Sequence, residues 1–223
     1  MILNLEVRNL SRVFLRGERS FKAVDNVSFS IKSGDFIGIM GDSGSGKSTL
    51  LNLIAGLLVP SSGEILIDGE NVGGGSDKNL AYIRNTRIGY VPQGQSLLSN
   101  LTVFDNVRLP YYLWGRDGSP DKRAKELLDH LGIGPLAGCY PASLSGGEQR
   151  RAAIARALIN SPDILIADEP TNDLDADNAN EIASLFGQIA DEGAAVLMVT
   201  HNLDTAAGTN GNYVMKKGQL GRR

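Results

Sequence analysis

The chain has 223 residues, 42% hydrophobic and 21% charged, ordinary proportions that argue against a disordered chain, a collagen-like repeat or a coiled coil. Its 22 Lys+Arg against 25 Asp+Glu give a net charge of −3, so no global basic field draws it to nucleic acid or anionic lipid. A single cysteine, Cys139, and only two histidines exclude an intrachain disulfide and a zinc-type cluster, and the composition suits a reducing cytosol.

The N-terminal stretch is interrupted by Glu6 and Arg8, which does not support a secretory signal. No apolar run approaches the roughly 18 residues of a spanning helix, so a membrane link is expected to come through a partner. Short β-type runs at 3–7, 27–31, 36–40 and 64–67 are punctuated by Ser33-Gly34-Asp35 and Asp68-Gly69. The run 36–40 is apolar throughout, as expected of a strand buried on both faces of a parallel sheet. Residues 48–58 read as a helix, with Leu51, Ile54, Ala55 and Leu58 at helical spacing and Pro60 ending it. Gly73-Gly74-Gly75-Ser76 reads as a flexible surface loop.

After a short strand at 88–91 the pattern becomes mostly helical from 94 to 160, including 121–131 and 146–158. Apolar strands at 164–167 and 195–200 then flank a helix at 177–190. Strands alternating with helices predict an α/β parallel sheet, with the helix-rich middle as an inserted lobe of one domain, 1–223. No repeat with a period of about 20 to 50 residues is visible.

Gly41-Asp42-Ser43-Gly44-Ser45-Gly46-Lys47-Ser48 matches G-x-x-x-x-G-K-[ST], set between a buried strand and a helix as that motif requires. Glycines let the backbone wrap closely around phosphates, so that N–H groups and the helix N-terminus face the anion. Lys47 would reach the β- and γ-phosphates, and the Ser48 hydroxyl would bind Mg²⁺. The apolar run 164–167 ends in Asp168-Glu169: the first carboxylate suits Mg²⁺, the second a base for an attacking water. Leu144-Ser145-Gly146-Gly147-Glu148 opens a helix and forms a second anion-binding device.

With these motifs in this order, the chain resembles the nucleotide-binding subunit of an ATP-binding cassette (ABC) transporter. Pro92-Gln93 falls at that family's Q-loop, Asn172-Asp173-Leu174-Asp175 at its D-loop, and His201 at its switch histidine. Phe14 falls where the family stacks an aromatic on adenine. The resemblance implies an α/β fold: a P-loop NTPase RecA-like parallel sheet core, a small antiparallel β subdomain and an inserted α-helical subdomain at about 94–160. It implies ATP and Mg²⁺ as ligands. Phe14, Gly41, Asp42, Ser43, Gly44, Ser45, Gly46, Lys47, Ser48 and Thr49 would hold the chain's own nucleotide. Ser145, Gly146, Gly147 and Glu148 would hold the partner's. Ser48, Gln93 and Asp168 would serve the metal, and Lys47, Gln93, Glu169 and His201 the catalysis. A head-to-tail homodimer on ATP binding, a separate integral membrane permease, no nucleic acid, and a peripheral place on the cytoplasmic face of the membrane complete the implication.

Several positions depart from the family's usual pattern. Gln149-Arg150 reverses its more common Arg-Gln order, Gly94 replaces a frequent aromatic, and Ser99 a frequent proline. Asn202 replaces an aspartate, and Asn172-Asp173 a Gly-Asn pair. The short length, the run from Arg84 to Tyr90 and Ala167-Asp168-Glu169-Pro170-Thr171 resemble the branch for lipoprotein release, macrolide or antimicrobial-peptide export and resistance, and cell division. ABC-type ATPases acting on nucleic acid or the ribosome form the alternative, but they carry insertions or paired cassettes absent from this sequence. A P-loop kinase or GTPase would leave Leu144 to Glu148 unexplained. Leu97, Leu98, Leu101, Val103, Tyr111, Tyr112 and Trp114 are expected mostly to pack inside the lobe, with a minority exposed as a groove for a partner helix.

Overall fold

Continuous apolar runs and alternating ones sort the strands into two sheets in the computed structural model, which describes residues 4–17, 19–73, 76–172, 174–201 and 209–223. Expectations for Leu3, Gly74, Gly75, Asp173 and Asn202 fall outside these residues.

The first sheet is antiparallel. It is built on a long hairpin of β1 (Asn4–Arg16) and β2 (Arg19–Lys32), joined by β4 (Ser62–Ile67) and β5 (Glu70–Asn71) in the order β2-β1-β4-β5. In its inner half β1 and β2 alternate, and Leu5, Val7, Phe29, Ile31, Ile65 and Ile67 are buried on one face, while Leu66 of β4 is buried as well. The outer half of the hairpin is mostly half-buried on β1 and exposed on β2, with the cross-strand pair Phe14 and Phe21 near its tip. Exposure removes the alternation, which is why the strands run far beyond the expected 3–7 and 27–31.

The second sheet has six strands in the order β10-β9-β3-β8-β7-β6. In chain order these are β3 (Phe36–Met40), β6 (Ile88–Val91), β7 (Ile164–Asp168), β8 (Ala195–Thr200), β9 (Gly211–Lys216) and β10 (Gln219–Arg222). All neighbours pair in parallel except the terminal hairpin of β9 and β10. Every residue of β3, β7 and β8 is buried, as their unbroken apolar runs require. The β9–β10 hairpin was not expected, because β9 is only half-buried and carries no such run.

Helices cover both faces. Ile39, Ile166, Leu197 and Val199 pack toward the antiparallel sheet and α1 (Lys47–Ile54). Leu165, Ala167, Val196 and Met198 pack against a core supplied by α3 (Val103–Tyr112), α4 (Asp121–His130), α5 (Gly146–Leu158) and α6 (Ala176–Asp191). Helix α1 stops short of the expected 58 because Gly56 takes the left-handed conformation at φ +64°. An unexpected helix, α2 (Asp77–Thr86), is capped by Ser76, whose side chain accepts from the Asn79 N–H; only Leu80 and Ile83 of it are buried, too few to show a periodicity. The result is the expected α/β fold of parallel core sheet, antiparallel subdomain and helical insertions. Among the described residues, no helix is long and apolar enough to cross a membrane.

Candidate functional site

The P-loop runs from the end of β3 into α1 through a gap that only glycine fits. A Cβ on Gly46 would overlap the Ala23 carbonyl of β2, and one on Gly41 would overlap the Met215 carbonyl of β9. The turn of the β9–β10 hairpin supports the loop from outside: the Gly218 N–H donates to the Ser45 carbonyl at 2.9 Å, and the Asp25 N–H to the Gly218 carbonyl at 2.8 Å. Lys47 is 5% exposed, and its ammonium arches back to donate to the carbonyls of Gly41 at 2.7 Å and Asp42 at 2.9 Å. A buried cation in a glycine-rich loop that opens into a helix N-terminus is the arrangement of an anion cradle.

Above the loop lies a cavity of about 1060 Å³ that brings together residues 41–49 with Phe14, Gln93, Glu169 and His201. These come from five separate elements or their ends, and the sheet register explains the meeting. Gln93 follows β6, Glu169 follows β7 and His201 follows β8, so all three sit at the carboxyl ends of adjacent parallel strands. Phe14 is half-buried at the cavity wall, its ring stacked on Phe21 at 5.7 Å and covered by the Arg12 guanidinium at 4.8 Å. The sequence reading missed Phe21, which also lines the cavity; its signal was an aromatic opposite Phe14, visible only once the hairpin register is known.

Glu169 carries an unusual backbone, φ +47°, fixed by donation from its N–H to the Val199 carbonyl at 2.9 Å. Its Oε2 accepts from Gln93 Nε2 at 3.0 Å and lies 3.7 Å from His201 Nδ1. Asp168 is 4% exposed, one residue deeper. Burial pushes its carboxyl above the ordinary carboxylate range; the Ser48 hydroxyl works against this, the charge of Glu169 adds to it, and Lys47 opposes it. Its Oδ1 is buried without a hydrogen-bond partner among the described residues. Nearby Tyr90 is pushed up to about 12 by burial and by the charge of Asp168. A buried carboxylate oxygen left unsatisfied beside a serine hydroxyl is the hard oxygen donor set that a divalent cation such as Mg²⁺ takes, so these residues fit that ion.

The second device lies elsewhere. Ser145 caps α5 through its hydroxyl, which accepts from the Glu148 N–H, while the Glu148 carboxylate accepts from the Ser145 N–H at 2.7 Å. That backbone bond holds the Glu148 carboxyl below the usual range. Gly147 is closely backed, since a Cβ there would lie 2.7 Å from Asn178 Oδ1. Among the described residues lining the P-loop cavity none comes from 144–148; Gly146 instead faces a cleft of about 130 Å³ with Gly94, Arg150 and Leu174. The two glycine-rich helix starts of the chain thus do not face the same space.

Comparison with known proteins fits this geometry. The family model for ABC transporters matches residues 24–172. An uncharacterized ABC transporter ATP-binding protein of Thermotoga maritima is 43% identical over 201 residues, covering 90% of this chain and 86% of that protein. The lipoprotein-releasing system ATP-binding protein LolD of Aquifex aeolicus is 39% identical over 220 residues, covering 97% and 95%. The macrolide export ATP-binding/permease protein MacB of Chlorobaculum tepidum is 42% identical over 214 residues; 96% of this chain matches, but it spans only 33% of that protein. Among solved structures, the dimeric ATP-binding cassette MJ0796 in a post-hydrolysis state bound to ADP and Pi superposes with a TM-score of 0.89 at 37% identity, covering 98% of this chain and 97% of that one. On the sequence match, the shared fold and the assembled P-loop cavity together, this chain belongs to the ABC transporter family as an ATP-binding domain.

Proposed function

We propose that this chain is the ATP-hydrolysing subunit that drives a separate membrane permease, and that it works as an ATP-dependent head-to-tail homodimer. The observation that carries the reading is the separation of the two anion devices: the P-loop cavity contains no residue of 144–148, so Ser145, Gly146 and Gly147 reach a nucleotide only on a second copy. A dimeric solved relative of the same fold supports it.

In this reading residues 41–49 and Phe14 bind ATP, and Lys47 stabilises charge that gathers at the β,γ-bridge. Ser48 and Asp168 would hold Mg²⁺, with Gln93 at its edge; the ion would neutralise phosphate charge when bound. Glu169 accepts the proton of the attacking water, Gln93 donates to the carboxylate oxygen, and His201, 3.7 Å from that oxygen, joins Gln93 in sensing the γ-phosphate side of the cavity. Loss of the γ-phosphate removes contacts to both copies and releases the pair.

The permease would dock on the helical lobe. Val103 is buried and Leu97, Leu101, Tyr111 and Trp114 are half-buried, whereas Leu98, Tyr112 and Leu113 are exposed. Leu113 and Trp114 border a groove of about 370 Å³ with Pro110 and Tyr90. Through that partner the chain would lie on the cytoplasmic face of the membrane, and the similarity to LolD and MacB supports the export branch without fixing a cargo.

Pairing two inactive variants tests the arrangement. A Lys47→Ala chain and a Ser145→Arg chain are each expected to be inactive. Mixed, they form one site that joins an intact P-loop to an intact signature, and turnover returns. No recovery at any mixing ratio would overturn the head-to-tail reading.

A further inference from the structure

The segment that carries Gln93 is fastened from behind by α5. Arg150, 8% exposed, donates from Nη1 to the carbonyl of Pro92 at 3.0 Å and to that of Gly94 at 3.4 Å. Arg156, two turns further along, donates from Nη1 to the carbonyl of Ser96 at 2.7 Å and from Nη2 to the Ser96 hydroxyl at 2.9 Å. Residues 92, 94 and 96 are therefore held to one helix, and that helix carries Ser145, Gly146 and Gly147 at its N-terminus. Gly94 permits the geometry by its backbone: φ is +74°, and a Cβ there would meet nothing within 4 Å, so conformation rather than space demands the glycine.

Guanidinium groups withdrawn from water cost desolvation that an aliphatic side chain would avoid, and burial lowers the pKa of Arg156. What they supply in return is direction, because a rigid planar guanidinium fixes the acceptors its N–H groups reach. On the other side of the same segment, the Gln93 amide reaches Glu169 Oε2 at 3.0 Å. A continuous polar path thus leads from the helix that opens at Ser145 to the carboxylate beside the P-loop.

We propose that Arg150 and Arg156 are positioning residues that make α5 and the Gln93 segment move as one body, so that nucleotide contact at Ser145 to Gly147 sets Gln93 and, through it, Glu169. This rests on the function proposed above for those two sites. It would couple the nucleotide held by the partner's P-loop to the base that serves the chain's own nucleotide.

A double-mutant cycle on the full chain tests it. Arg150→Met is expected to lower kcat about tenfold with KM for Mg-ATP changed by less than about twofold, as misplacement of a catalytic group does. In a Gln93→Ala background the same substitution should cost nothing further, since its effect already passes through Gln93. Arg150→Lys, which keeps a donor without the fork, should recover part of the rate and serves in the same cycle if Arg150→Met does not fold. Arg156→Met should follow the same pattern. Losses that multiply in the double variant, or wild-type turnover in Arg150→Met, overturn the proposal. Wild-type turnover in Lys47→Ala would instead overturn the function beneath it, and the proposal with it.

Discussion

The side-chain amide of Gln93 donates to Oε2 of Glu169 at 3.0 Å, although 76 positions separate them in the chain. The strand register places them together: β6 and β7 are parallel with Val91 opposite Ala167, so the residues two further on in each strand emerge side by side at the carboxyl edge. The same oxygen lies 3.7 Å from His201 Nδ1, beyond the end of β8. One carboxylate oxygen thus has a neighbour from each flanking strand, a hydrogen bond from Gln93 and the more distant His201 ring.

Glu169→Gln tests that division of labour. The amide keeps the size and one acceptor oxygen but cannot take a proton, so ATP is expected to bind while turnover falls by about 100-fold or more. Trapped with ATP, the variant should elute from a sizing column as a dimer. Full activity with monomeric elution at high protein concentration would remove both the base role and the head-to-tail pairing.

Lys47→Ala is the second test. The ammonium is anchored on the Gly41 and Asp42 carbonyls, so its charge is held at the loop rather than swinging into solvent. Its removal takes away electrostatic stabilisation where charge gathers during phosphoryl transfer, and steady-state ATP hydrolysis should fall to background. Turnover equal to the wild type would show that this loop is not the phosphate site.

Much of this site was legible because its parts are local. Gly41 to Ser48 is a contiguous pattern between a buried strand and a helix, and Asp168-Glu169 ends an unbroken apolar run; neither needs a tertiary contact to be seen. The β9–β10 hairpin, whose Gly218 supports the P-loop, was not legible because β9 is half-buried and carries no apolar run. Phe21 was hidden for a related reason: its pairing with Phe14 follows from a register set in a part of the hairpin without a buried, alternating face. Arg150 and Arg156 carry no local sequence signal of their partners, which follow only from the path of residues 92–96 across α5.

Ser145 caps α5 and, in the proposed dimer, faces the partner's nucleotide, two roles that substitution can separate. Ser145→Ala removes the cap of α5 and should cost about 1 kcal/mol in unfolding experiments. Ser145→Asp keeps a capping oxygen but points a carboxylate at the partner's phosphates, so it should unfold like the wild type yet fail to dimerise with ATP. The capping box also has a pH signature. The Glu148 carboxyl is held below its ordinary value in the folded chain by the Ser145 N–H, so its contribution is present above the unfolded value and is lost as pH falls through the folded one. Glu148→Gln should flatten that part of the acid unfolding profile, and an unchanged profile would count against the box.

The helical lobe offers the remaining test, of the surface through which work would leave the molecule. Leu113 is 69% exposed at the end of α3, and Leu98 is 45% exposed in the loop before it. Neither lines the P-loop cavity, and both lie on the lobe whose connecting segment carries Gln93. The buried amide of Asn106 keeps that segment in shape, accepting from the Leu98 N–H at 2.8 Å and donating to the Leu98, Leu101 and Thr102 carbonyls. A charge at either leucine costs little in the free chain, because each already meets water, but it is expensive once a partner helix excludes that water. Leu113→Glu and Leu98→Glu should therefore leave the isolated chain's ATPase within about twofold of wild type and sharply reduce copurification with the proposed membrane permease. Normal copurification and transport by both variants would place the docking surface elsewhere on the lobe.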